Sequence, residues 1–196
     1  MVEVDTEIKG YDYGHVSPSP VTLDDLRRLE ATVGFTDADR RALREAGRIL
    51  ADHAEELVDG WRAIIGAQDH LARWFFGPDE KPDDAYKAAV KPRFVRWVVD
   101  LCTRPFDQKW LDYQHEIGLR HTPAKKNATD GRSTPPLVPL RYLLAFAVPV
   151  LLSVRAHLRN AAASPKEAER METAWTKAVV LSVALWAEPY AREGLW

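Results

Sequence analysis

From Asp37 to about Gly66 the residues Leu43, Ala46, Leu50, Ala54, Leu57, Trp61 and Ile65 recur every three to four positions, the spacing of one face of an α-helix. No stretch of the chain shows the sustained apolar and polar alternation of a half-buried strand. This combination constrains the fold more than any other feature. A stripe repeating every 3.6 residues must be buried against another element, and only helices are on offer here to bury it.

The punctuation between periodic segments agrees. Thr22 and Asp25 form a helix-start signature opening LDDLRRLEATV, with Gly34 as its stop, and Thr36 opens the next helix. A short helix is expected from Asp69 to Phe76, and a longer one from about Pro82 to Thr103 carries Tyr86, Val90, Phe94, Trp97 and Leu101 on one stripe. A kink is expected at Pro92, which lacks a backbone donor. Phe106 to His121 reads as another amphipathic helix, followed by the long loop TPAKKNATDGRSTPPLVP. A helix containing Pro149 is expected from about Leu140 to Asn160. Ser164-Pro165-Lys166-Glu167 reads as a capping box opening the last helix, to about Trp186. Gly47 and Gly60 mark either a junction or a close helix crossing. The expected fold class is all-α, residues 1–196 forming one domain in which the aperiodic, Gly-, Pro- and Tyr-rich residues 1–21 make an N-terminal arm.

Charge and motifs exclude several functions. With 27 basic and 29 acidic residues no sign dominates, so no nucleic-acid partner is expected. The single cysteine, Cys102, has no partner for an intrachain bridge or a zinc-type spacing. The N-terminus lacks a signal-peptide pattern, and no uninterrupted apolar run approaches about 20 residues, so a cytoplasmic protein without membrane association is expected. Phosphate-loop, dinucleotide, zinc-protease and EF-hand patterns are absent.

Six histidines remain as candidate ligands: His15, His53, His70, His115, His121 and His157. Most histidines in proteins are surface or structural. His121 stands apart, because at ~100° per residue it falls within ~20° of Trp110 and ~40° of Ile117 and so extends their apolar seam. His115 falls ~120° from His121 on the same count, which makes it the weaker candidate. A neutral imidazole directed into an apolar interior at a helix end is what a singly ligated haem iron requires.

The segments GYDYG, WLDYQHEIGLRH with the following KKNATD, RYLLAFAVP and ALWAEPY resemble segments of the protoglobins, in the same order and across nearly the whole chain. The resemblance implies a globin-like helical sandwich with an additional N-terminal helix, and an extended arm that helps bury haem b. It implies His121 as the proximal ligand, and it places Trp61 and Arg62 near the gas with Phe94 and Phe146 as apolar walls. The family usually has a tyrosine where this chain has Arg62. An arginine there either reaches a carboxylate or haem propionate, or turns to solvent. Arg93 is a further candidate for a propionate, its alternative being a solvated helix face.

The function expected from this resemblance is reversible binding of O2, CO or NO at a five-coordinate iron. The alternatives are a haem enzyme acting on peroxide, nitrite or NO, and a gas-sensor module lacking its output domain. The resemblance also implies a homodimer joined through the last long helices, with Ala178 to Trp186 shared between contact and core.

Overall fold

The computed structural model describes residues 8–191 and 196; the first seven residues of the expected arm and four residues near the C-terminus lie outside them. Eight α-helices follow one another among the described residues: α1 Leu23–Val33, α2 Asp37–Gly66, α3 Asp69–Ala72, α4 Asp84–Thr103, α5 Gln108–Leu119, α6 Leu140–Ser153, α7 Arg155–Ala161 and α8 Pro165–Ala187. A single 3-10 turn extends α3 from Arg73 to Phe75, and another, Glu188–Tyr190, follows α8. The one β-type pairing described is an isolated bridge between Phe76 and Pro82. The all-α expectation therefore holds.

Local chemistry explains where the helices begin. Thr22 with Asp25 and Thr36 with Asp39 form complete capping boxes, in which each hydroxyl accepts from the third helical amide and each carboxylate accepts from the cap amide. Asp83 and Asp107 cap α4 and α5, so these helices start later than Pro82 and Phe106. Ser164 caps α8, but Glu167 reaches back to the Ala163 amide at 2.8 Å instead of closing a box on Ser164. Gly34 ends α1 in the left-handed conformation, with φ of 63°.

The core is built where α2 crosses α4 and α8, with α5 and α6 packed on α8. Trp61, Trp110 and Trp175 are almost wholly removed from solvent, and each such side chain contributes about 1.5–3 kcal/mol through burial. Gly47 is the close crossing: a Cβ there would lie 2.6 Å from Cys102 Cβ, so only glycine lets α2 approach α4 this closely. Gly60 has open space beside it and plays no such part. Cys102, sealed in this contact, has its thiol pKa pushed up to about 12 by burial. α4 runs unbroken through Pro92.

The penultimate helix is not continuous, contrary to expectation. It breaks at Val154, between α6 and α7. The carbonyl of Val150, which would accept from the Val154 amide in a regular helix, instead accepts from Trp175 Nε1 at 3.2 Å and from Ser153 Oγ at 3.4 Å. Pro149 lies just before it. Leu140–Ala161 taken together is 22 residues and contains an 18-residue stretch of mean hydropathy 1.3, long and apolar enough by length and composition to cross a membrane. Its outer face is apolar as well, with Leu144, Val148 and Leu152 exposed at 51%, 54% and 48%.

Candidate functional site

A cavity of about 240 Å³ is lined by residues of α2, α4, α5, α6 and α8, of α3 with its 3-10 turn, and of the loop after α5. His121, Phe94, Phe146, Arg62 and Arg93 all border it. Trp61, also singled out from the sequence, packs behind this wall, with its ring 5.0 Å from Phe94 and 6.4 Å from Trp97. Its indole N–H donates to Ser153 Oγ at 2.9 Å.

His121 sits two residues beyond the end of α5, in a turn closed by its amide donating to Gly118 O at 3.0 Å. Its Nδ1 lies 2.8 Å from the Ile117 carbonyl. A carbonyl can only accept, so Nδ1 must carry the proton and Nε2 keeps its lone pair. Burial lowers the His121 pKa, which further favours the neutral ring. The residue is nonetheless only partly buried, because it borders the cavity.

The chain braces this turn from three sides. The His121 carbonyl accepts from the Val138 amide at 2.9 Å. Tyr190 Oη lies 3.1 Å from the His121 carbonyl and 2.7 Å from that of Val138, and its one proton serves the nearer. Gly118 lets the C-terminal segment come this close, since a Cβ would meet Pro189 Cγ and the Trp186 carbonyl at 3.1 Å. Trp186 also stacks against His121, with ring centroids 6.3 Å apart, and its indole donates to Gln114 Oε1. His115, by contrast, lies outside the cavity lining, with Nδ1 3.1 Å from Glu188 Oε2.

The two arginines are held by acids of the chain. Arg62 is one-third exposed and lies 3.3 Å from Asp59, one turn earlier on α2. Arg93 is nearly buried and grips Asp130 with both terminal nitrogens, at 3.0 and 2.6 Å, while donating to the Lys9 carbonyl at 2.9 Å. It thereby joins α4 to the loop after α5 and to the N-terminal arm. Gly10 crosses directly over it with φ of 73°, where a Cβ would lie 2.9 Å from Arg93 Nη1. The arm continues through Tyr11, whose hydroxyl donates to Asp100, and Tyr13, whose ring lies 5.5 Å from Tyr113.

Sequence reasoning missed Lys126. The loop that carries it is held by side chains rather than by secondary structure, with Asn127 bonding Thr134 through backbone and side chain. Lys126 borders the cavity, is only 3% exposed, and donates to the Trp74 carbonyl at 2.8 Å and to Thr134 Oγ1 at 2.6 Å. Burial lowers its pKa to about 8. Its place in the sequence gives no periodic signal, since it lies outside any helix. Arg62, Lys87, Lys91, Arg93, Arg120 and Lys126 border the cavity, and among the described residues all but Lys126 are paired with acids: Asp59, Asp84, Glu55 and Asp59, Asp130, and Glu116 respectively. The lining is otherwise largely apolar, and the buried indole nitrogens of Trp74 and Trp97 have no hydrogen-bond partner among the described residues.

Comparison with known proteins gives the lineage of this arrangement. The globin domain of a Geobacter sulfurreducens globin-coupled sensor matches with a TM-score of 0.68 over 85% of this chain and 97% of that one, at 16% sequence identity. At that identity the likeness establishes a shared globin fold. No curated protein sequence matches the chain. The Protoglobin family model matches residues 22–196, from the cap of α1 to the last residue, and the chain belongs to that family.

Proposed function

We propose that the cavity holds haem b and that the protein binds small gaseous ligands, O2, CO or NO, as a gas-binding or gas-sensing globin. The observation that carries this reading is the His121 imidazole, held neutral at the cavity wall with its Nδ1 proton committed to Ile117 O and its Nε2 free to ligate iron. A flat apolar cofactor with two carboxylates suits a cavity that is largely apolar within and has basic side chains at its border, Lys126 among them without an ion-pair partner among the described residues. Non-covalent haem b suits the chain, because covalent attachment through a C-x-x-C-H motif needs two cysteines and only Cys102 is present. When bound, the haem would supply an iron that His121 would hold and that could take up the gas.

The residues of the chain divide the remaining work. The Ile117 carbonyl and the Trp186 ring orient the His121 ring, while Tyr190 braces the backbone of the turn through Val138. Phe94 and Phe146 form an apolar wall that disfavours water, and Trp61 stiffens that wall from behind. With the Trp61 indole committed to Ser153 and Arg62 turned to Asp59, this reading gives the gas a mainly apolar pocket. Lys126, which has no ion-pair partner among the described residues, would offer positive charge to a propionate, while Arg93, already paired with Asp130, ties the arm to α4. The exposed stripe of α6, with Val180 of α8 at 41% exposure, is the surface we assign to a homodimer. Most of Ala178–Trp186 is buried within the single chain instead.

The deciding experiment replaces His121 with alanine. The variant should lose stable haem, or retain it only with added imidazole, whereas His115→Ala should bind one haem per chain as the parent does. Full haem content and an unchanged reduced spectrum in His121→Ala would refute the assignment.

A further inference from the structure

His53 and Glu56 lie one turn apart on α2, and α7 brings His157 against them, so that the ligand atoms of all three lie within 4.8 Å of one another. The two imidazoles are 4.1 Å apart between centroids. Nothing in the haem reading uses this cluster, and none of its residues borders the cavity. From these three side chains the geometry points to a second, surface metal site, taking one divalent transition ion of the zinc, copper or nickel class.

Two imidazoles and a carboxylate are the donor set of borderline ions and not of calcium or magnesium, which prefer oxygen. Bonds of about 2.1 Å in a tetrahedral arrangement want donors about 3.4 Å apart. The present separations need a modest closure. Glu56 is free to make it, since its side chain is 70% exposed and is held only by His53 Nδ1 at 3.3 Å. His53 and His157 are each partly buried, which limits the rotamer freedom lost on binding. Three protein ligands leave a further position to water, and the ion would tie α2 to α7 just beyond the break at Val154.

Without a metal the same contact is a His53 and Glu56 pair beside the tilted ring of His157, and the two possibilities separate experimentally. Haem-loaded protein without a polyhistidine tag is titrated with zinc chloride by calorimetry, zinc being chosen because it cannot exchange electrons with the haem. The expected result is one zinc per chain in the parent and in His15→Ala, whose residue is exposed and remote in sequence from the cluster. His53→Ala and His157→Ala should each weaken binding by about tenfold or more. Zinc should raise the Tm of the parent and of His15→Ala but not of the other two variants. Absence of saturable binding in the parent would overturn the site, and so would binding that survives His157→Ala unchanged. Because the readout is zinc and not haem, neither result bears on His121.

Discussion

A buried ammonium must be compensated by hydrogen bonds or by a counter-charge, and Lys126 has only the first, from Trp74 O and Thr134 Oγ1. Its pKa falls from 10.5 to about 8, so between those values the unfolded chain holds a proton that the folded chain has released. Stability of the haem-free protein should therefore rise with pH across this window, the cost being fully present below about pH 8. Over the complete window the effect is worth up to about 3 kcal/mol. Lys126→Met should flatten that rise, as measured by urea unfolding of the haem-free protein at pH 7 and pH 10; parallel profiles for variant and parent would show that burial of this group is not costly. At the same scale His121 was legible in the sequence because it continues the line of Trp110 and Ile117. Lys126 was not, because a loop residue carries no periodicity and its burial depends on Trp74 and Thr134, 52 and 8 positions away. Arg93 was read as a propionate partner or a surface residue, and the acid that it meets, Asp130, lies in the same loop.

Elements followed the sequence wherever local chemistry decided them. Capping boxes at Thr22 and Thr36 and the αL glycine at Gly34 are contacts among neighbours, and these helix ends stand where the sequence puts them. The break at Val154 was missed because its causes come from other helices: Trp175 of α8 takes the Val150 carbonyl, and Trp61 of α2 binds the Ser153 hydroxyl. Ser153→Ala would leave a buried indole N–H without an acceptor and should destabilise the protein by about 1–3 kcal/mol, read from urea unfolding. A loss near zero would mean that Trp61 is indifferent to this bond. The arm is a similar case. Tyr and Gly at residues 10–14 look like an irregular segment, yet Gly10 lies against Arg93 and Tyr11 reaches Asp100, contacts visible only once α4 is in place.

For the whole molecule, the surface decides association. Leu144, Val148 and Leu152 recur every four residues on α6 and present an apolar stripe that the other described residues do not cover. If this stripe is the dimer contact, Val148→Asp should convert a dimer to a monomer in sedimentation analysis without reducing haem content. A parent protein that is already monomeric, or a variant that remains dimeric, would remove the assignment. The resemblance has Ala178 to Trp186 shared between a dimer contact and the core; in the fold most of that run is buried within the chain, and Val180 is exposed.

The sequence by itself determined the helical class, the beginnings of most helices, and His121 as the candidate ligand, since these rest on spacing and on contacts within a few residues. Family membership was legible too, in GYDYG, WLDYQHEIGLRH, RYLLAFAVP and ALWAEPY. Only the tertiary structure decided which face of each helix borders the cavity, where Arg93 finds its acid, that Lys126 is buried, and that His157 meets His53 and Glu56. Those outcomes depend on pairs of residues far apart in the chain, and helix periodicity fixes the angle of a side chain about its own axis but not which helix packs against it.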